Sequence, residues 1–243
     1  MDFHGKRYWL VGASEGLGRA LAHRLHKAGA HVIVSARSRD RLNELVAELG
    51  GRAQAVTVDV ADMEAVKNAM KEVGQIDGMV YLAGVYWPMK ATEWDNDKAA
   101  MMGEINYLGA SRVVGAVMPG FVAQGHGHFV LTGSLSGFRG LPGAIGYSAS
   151  KAGIMALAES MHCDLRGGPI RVQVGNPGFI KTRLTDKNDF RMPFLMTPEE
   201  AAEEMFTLMT STAFKRSFPR LFSWLFRGAQ FLPDWAYYRL FGA

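Results

Sequence analysis

Cysteine is all but absent. Cys163 stands alone among 243 residues, so no internal disulfide can form and nothing in the chain calls for an oxidising compartment. A single thiol of this kind is expected to be buried as a small hydrophobe. Long apolar runs are missing as well. The longest stretch without a formal charge, Val113 to Phe138, is interrupted by Pro119-Gly120 and by Gln124-Gly125-His126-Gly127-His128, which excludes a transmembrane helix there. The amino end carries Asp2 and reaches a strand-like run by Tyr8, leaving no room for the n-region and h-region of a signal peptide. Metal-ligand spacing is lacking too: none of the seven histidines sits in a ligand pattern, and His126-x-His128 reads as a turn-to-strand feature. No helix-turn-helix, zinc or single-strand-binding signature accompanies the positive charge, so no nucleic-acid partner is expected.

The chain has ample material for a core, with 48% hydrophobic and 21% charged residues, and its length suits one domain over 1–243. Short β-branched runs alternate with amphipathic segments of helical length. Strands are read at Tyr8 to Val11, Val32 to Val34, Ala55 to Val58, Gly78 to Leu82, Phe129 to Thr132 and Ile170 to Val174, with a seventh at Phe214 to Phe218. Helices are read at Gly18 to Ala28, Arg39 to Leu49, Met63 to Val73, about Asp97 to Met118, Tyr147 to Leu165 and Pro198 to Met209, the last capped by Thr197. This alternation points to a single doubly wound Rossmann-type α/β domain, a parallel sheet of about seven strands with helices on both faces.

Charge is unevenly placed. Residues 214–243 carry Lys215, Arg216, Arg220, Arg227 and Arg239 against Asp234 alone, which accounts for the whole net charge of +4. Ten aromatic residues crowd the same stretch. The segment 219–243 therefore reads as an aromatic, basic unit with three readings: packing in the core or between subunits, an interfacial helix touching anionic lipid, or a wall of the substrate pocket. Residues 184–212 read as a substrate lid or helical insertion.

Two motifs carry chemistry. Gly12-Ala13-Ser14-Glu15-Gly16-Leu17-Gly18 joins the first strand to the first helix, where unpaired backbone N–H groups and the helix dipole favour a phosphate. Tyr147-Ser148-Ala149-Ser150-Lys151 places a phenol and an amine four residues apart on one helix face. A neighbouring ammonium is expected to pull the phenol pKa down toward working pH.

The glycine spacing, Ser134 thirteen residues before Tyr147, Asn106 in the preceding long helix, and Asn176-Pro177-Gly178 after the sixth strand together resemble the short-chain dehydrogenase/reductase family over Lys6 to about Thr182. That resemblance implies a nicotinamide cofactor. It assigns Tyr147 as acid/base, Ser134 as a hydrogen-bond donor to the substrate oxygen, Lys151 as holder of the nicotinamide ribose, and Asn106 as anchor of a proton-relay water. It also implies cofactor contacts at Gly12, Ser14, Glu15, Gly16, Leu17 and Gly18, at Asp59 and Val60 for adenine, at Ala83 and Gly84, and at Pro177, Gly178, Ile180 and Thr182 for the nicotinamide.

The second strand ends in Ser35-Ala36-Arg37-Ser38, with no acid, and the planar fork of Arg37 suits a 2′-phosphate. NADP(H) is therefore favoured, with NAD(H) as the alternative. Glu15 departs from the basic residue that many NADP-using members carry in the loop. Val11 and Tyr81-Leu82 replace the family's threonine and paired asparagines. The substrate-side loops, Val85 to Met89, Leu135 to Ile145 and Leu184 to Met196, are apolar and aromatic, with few charges in the first two, which points to a hydrophobic substrate; the resemblance implies interconversion of a ketone and a secondary alcohol, with carbonyl reduction favoured. A non-catalytic NADP-binding regulatory or membrane-associated protein is the alternative. The resemblance further implies a homodimer or homotetramer, for which Ala149, Ala152, Gly153 and Ala156 offer a small-residue face. A cytoplasmic location, with peripheral membrane contact through 219–243, completes the expectation.

Overall fold

In a computed structural model of the protein, the structure describes residues 2–187 and 190–242. Asn188 and Asp189, part of the segment read as a lid, lie outside the described residues, as do Met1 and Ala243 of the 1–243 domain. The chain forms β1 (Arg7–Val11), α1 (Gly16–Lys27), β2 (His31–Ala36), α2 (Arg39–Leu49), β3 (Ala53–Thr57), α3 (Met63–Val73) and β4 (Gly78–Tyr81). It continues through α4 (Asn96–Met102), a π-helical turn (Gly103–Leu108), α5 (Gly109–Gln124), β5 (Gly127–Thr132), α6 (Ile145–Leu165), β6 (Ile170–Pro177), α7 (Pro198–Thr210) and β7 (Lys215–Phe218). Helices α8 (Arg220–Ala229) and α9 (Asp234–Phe241) follow.

All seven strands are parallel, in the order β3-β2-β1-β4-β5-β6-β7. The order reverses between β1 and β4, and in open α/β sheets the crevice beyond the strands' carboxyl ends at such a switch point is where ligands bind. Successive strand residues face opposite sides, so Trp9 and Ile33 join the layer with α3, α5 and α6, while Tyr8, Leu10 and Val34 join that with α1, α2 and α7. Burial on both faces explains why the strands read as continuous apolar runs. Within the sheet the Trp9 indole N–H donates to Ser35 Oγ at 2.8 Å.

Local chemistry sets the helix ends. Asp62 accepts from the N–H groups of Glu64 and Ala65 to start α3, and Gly74, at φ 69°, ends it. Thr197 and Glu200 form a capping box at α7.

Three expectations need correction. Cys163 is exposed: α6 buries Ser148, Lys151, Ile154, Met155, Ala158 and Met161, and position 163 turns away from that face. The helix read over 97–118 is three pieces, α4, the π-helical turn and α5, and it runs through Pro119 to Gln124. The bond that Pro119 lacks is to the carbonyl of Gly115, on the exposed face where water replaces it. The range 184–212 divides. Residues 198–210 are α7, the crossover between β6 and β7, which buries Ala201, Ala202, Met205, Leu208 and Met209 beneath the sheet and is no insertion. Before it, Leu184 and Thr185 line the cleft at the carboxyl edge of the sheet.

His128 lies inside the sheet. Gln173 donates both its N–H groups, to the carbonyls of Leu208 and Ala213, so its Oε1 accepts from His128 Nε2 at 2.9 Å, and Nδ1 accepts from the Tyr8 hydroxyl at 2.9 Å. Burial pushes the imidazole down to about 3. Below the ordinary histidine range the unfolded chain takes up a proton that the folded chain refuses, so this group lowers stability as pH falls through that window and leaves it untouched above. Between pH 6.5 and 4 the loss from this site amounts to about 3 kcal/mol. Urea unfolding across that range should show a correspondingly flatter pH dependence in His128→Asn; equal slopes in the two proteins would contradict the buried neutral imidazole.

Candidate active site

The ends of β1 and β4 are laced together by main chain. The N–H groups of Leu82 and Ala83 both donate to the Val11 carbonyl, at 2.7 and 2.9 Å. Gly12, at φ 96°, leaves no room for a side chain, because a Cβ there would lie 2.3 Å from Ala83 N. At Gly18 a Cβ would lie 2.1 Å from the Gly12 carbonyl oxygen, so α1 can begin hard against the loop. This main-chain lacing accounts for the apolar Val11 and Leu82: the strand ends are braced without side-chain hydroxyls or amides.

Around one cleft at this edge stand the loop residues Gly12, Ser14, Glu15, Gly16, Leu17 and Gly18, then Arg37 after β2 and Asp59 and Val60 after β3. Ala83 and Gly84 after β4, and Pro177, Gly178, Ile180 and Thr182 at and beyond β6, complete its walls, with Tyr147 and Lys151 of α6 at one end. The first turn of α1 carries no acidic side chain and opens onto the cleft with its N–H groups unpaired, an anion site by construction.

Glu15 is not left to oppose an anion. Its carboxylate pairs with Arg41 at 2.7 Å and with Arg183 at 2.7 Å, and both guanidiniums line the same cleft. Neither arginine was singled out by sequence. The four-residue spacing from Arg37 to Arg41 across the entry to α2 was a usable signal, whereas Arg183, 168 residues from Glu15, left none.

The residues expected to be catalytic converge on α6. Lys151 is 4% exposed, and Nζ donates to the Thr132 carbonyl at 2.9 Å. Ser134 Oγ accepts from the Ser136 hydroxyl at 2.9 Å and from Ser136 N–H at 3.2 Å, and donates to the Pro177 carbonyl at 3.5 Å. Ser136, a rival by sequence, thus feeds the same chain of hydroxyls. Asn106 does not line the cleft. The π-helical turn points it at the strand ends, where Nδ2 donates to the Val85 carbonyl and to Ser150 Oγ at 3.0 and 2.9 Å, and Oδ1 accepts from Val85 N–H at 2.7 Å. With its amide fully engaged, the side chain clamps the loop after β4 to α6. Ser150 is the partner that sequence reading missed.

The phenol departs from expectation. Burial dominates and pushes Tyr147 up to about 12, with the Ser134 hydroxyl pulling it down and Tyr86 adding to the rise. The ammonium is turned to Thr132, 5.7 Å from the ring centroid, and burial lowers Lys151 itself to about 8. Burial thus outweighs the neighbouring ammonium in setting this phenol.

A polar, oxygen-rich ligand fits this cleft. Lys151 has three N–H donors and one protein acceptor, and the buried Thr132 Oγ1, on the cleft wall, has no partner among the described residues. A Cβ at Gly84 would meet Asn106 Oδ1 at 3.4 Å and Lys151 Nζ at 3.7 Å, so glycine leaves a cradle there. No group of three or more His, Cys, Asp or Glu side chains among the described residues is arranged for a metal.

Across the cleft mouth the Tyr86 ring meets Tyr147 edge-on at 5.1 Å, and Lys187 donates to the Tyr86 carbonyl at 2.7 Å while lying 4.4 Å over Trp87. The carboxyl-terminal helices seat on the same side. Arg139 donates to the Leu232 carbonyl at 2.8 Å, pairs with Asp234 and lies 3.9 Å over the Tyr237 ring, while Phe222 packs against Phe179 and Phe194.

The family model described as short chain dehydrogenase matches residues 6–191. The chain belongs to the short-chain dehydrogenase/reductase family. It is 37% identical over 232 residues to an uncharacterized oxidoreductase of Myxococcus xanthus, covering 93% of this chain and 92% of that one. Among solved structures it resembles an alcohol dehydrogenase of Thermococcus sibiricus complexed with 5-hydroxy-NADP, at TM-score 0.79 and 25% identity, covering 88% of this chain and 96% of that one. A short chain dehydrogenase of Burkholderia cenocepacia in complex with NADP shares the fold at TM-score 0.88 and 22% identity over the full length of both chains. As a short-chain dehydrogenase/reductase the protein is an NAD(P)-dependent oxidoreductase.

The closeness of Gly18 to Gly12 gives a test of the cradle. In Gly18→Ala the loop must move off the helix, and nicotinamide-cofactor affinity measured by fluorescence titration should fall by at least about tenfold, with an unchanged circular dichroism spectrum. Undiminished affinity would mean that this loop does not hold the cofactor.

Proposed function

We propose that the protein is an NADP(H)-dependent reductase that converts a hydrophobic ketone to a secondary alcohol. The observation that carries this reading is the half-buried Tyr147, set beside the buried Ser134 and Lys151 at the end of a glycine-cradled cleft. A bound nicotinamide cofactor supplies the hydride. The chain's part is to manage the oxygen: Ser134 and Tyr147 present hydroxyl groups to one place, where a substrate carbonyl accepts from both. As negative charge develops there, Tyr147 gives up its proton, and the buried Lys151 ammonium stabilises the phenolate that remains. A phenol in its acid form can donate to the nascent alkoxide as a ketone is reduced, and the same group takes the proton back in the reverse step. Asn106 keeps the Val85 loop at the correct distance and so positions the site without lining its cleft.

NADP(H) over NAD(H) is supported by the cationic rim. Arg37 carries no acid beside it on β2, and Arg41, with Arg183, outweighs the single charge of Glu15. The hydrophobic substrate is supported by Tyr86, Phe179, Phe190 and Phe194 around the mouth. The reading includes a cytoplasmic homodimer or homotetramer, supported by the exposed Ala149, Ala152 and Ala156 on α6, where another helix can approach closely.

The test is turnover of NADPH against a panel of hydrophobic ketones. Tyr147→Phe should lower kcat on the order of 10²–10⁴-fold with KM little changed, because the proton is needed only as charge develops. Activity that survives the substitution would sink the assignment of the acid.

A further inference from the structure

We propose that the outer face of α8 and α9 is a docking surface for a bilayer containing anionic lipid. The inner faces of these helices are already committed. Phe222, Ala229 and Tyr237 are buried, the Tyr237 hydroxyl donates to the Gly140 carbonyl at 2.7 Å, and Phe226 and Phe241 meet at 6.3 Å between the two helices. The pair is fixed on the body and is not a loose tail.

The outer faces are nonetheless apolar. Leu221, Trp224 and Leu225 recur at helical spacing on α8, Trp235 and Tyr238 on α9, and Phe231 stands between the helices. Phe231 is 84% exposed, Trp235 73%, Leu221 72% and Trp224 61%. Scattered apolar residues on a surface need no explanation, but two tryptophans, a phenylalanine, a tyrosine and leucines on two adjacent helices mark a contact site. Tryptophan and tyrosine are the side chains that rest at headgroup level.

Charge selects the occupant. Arg220, Arg227 and Arg239 belong to these helices, and their one acid, Asp234, is taken by Arg139 from the body. Arg227 lies 5.1 Å over the Trp224 ring, so the cation is held at the level of the apolar face, where lipid phosphates lie. A second copy packed symmetrically on this face would set these arginines against their own equivalents with no free acid from these helices to offset them. An anionic lipid surface answers both the rings and the charge. No helix among the described residues is long and apolar enough to cross a membrane, so the pair would lie in the interface plane. Phe194, which stacks on Phe222 at 5.4 Å and is itself half exposed, continues the apolar surface from the docking face to the cleft mouth.

The experiment is co-sedimentation of the full chain with vesicles of phosphatidylcholine alone or mixed equally with phosphatidylglycerol, at low and physiological salt. The protein should pellet with the mixed vesicles and shift its tryptophan emission to the blue. At about fivefold per basic residue, R220E/R239E should weaken partition by roughly 25-fold or more, and W224S/W235S should do so by a comparable factor; these four residues are exposed, so melting temperature and cofactor titration should not change. A wild-type chain that stays in the supernatant with mixed vesicles at low salt would overturn the proposal. So would equal binding by R220E/R239E, or a wild-type oligomer that W224S/W235S reduces to a smaller species, which would identify a second copy as the occupant.

Discussion

A lysine ammonium with almost no contact with water is the constraint on which the site turns. Removing that charge from solvent costs several kcal/mol unless partners replace the water, and Lys151 has one, the Thr132 carbonyl at the end of β5. Such closeness demands that the chain after β5 run tight against α6. It does so through glycines: a Cβ at Gly133 would fall 2.8 Å from Met155 Cγ, and one at Gly137 would fall 2.7 Å from Met155 Sδ and 3.0 Å from the backbone of Ala152. Ser134 lies between these two glycines, so the approach that holds Lys151 also delivers the Ser134 hydroxyl to Tyr147. A buried ammonium is poor material for stability, and only one of its three donors is spent, on the Thr132 carbonyl.

The opposite wall rests on main chain. Val11 offers its carbonyl to two successive N–H groups of the β4 end, and Asn106 spends its whole amide on Val85 and Ser150. The first fixes backbone to backbone across the switch point of the sheet and the second ties the loop after β4 to α6, so the cleft floor is preformed. The rim is where charge is adjusted: Glu15 recruits Arg41 and Arg183 and leaves the cleft a net cation. Chemistry at one end and charge at the other are thus set by separate parts of one crevice.

Much of this was legible in the sequence because it depends on local signals. Strands buried on both faces must be β-branched and apolar, so β2 and β6 announced themselves, and α2 and α3 ended where glycines at positive φ stop a helix. Tyr147, Lys151 and Ser134 could be picked out because their spacing resembles the family's pattern; the spacing alone would not have sufficed. What could not be read was tertiary. The direction in which Lys151 points depends on a carbonyl nineteen residues away, so the proximity that should have lowered the Tyr147 pKa gave way to burial that raises it. The Glu15 pair with Arg183 spans 168 residues. Cys163 was placed inside by composition, although its position on α6 turns outward, and the π-helical turn that aims Asn106 has no simple sequence signature.

The central claim is that the cleft beside Lys151 holds a nicotinamide cofactor, and calorimetric titration of NADPH and NADH into the wild-type protein and Lys151→Met tests it without knowledge of the substrate. The wild type should bind NADPH more tightly than NADH. Lys151→Met should lose about tenfold or more in affinity for both while unfolding at an equal or higher temperature, since methionine fills the same space without a buried charge. A wild-type protein that binds neither cofactor, or a Lys151→Met variant that binds both undiminished, would contradict the account.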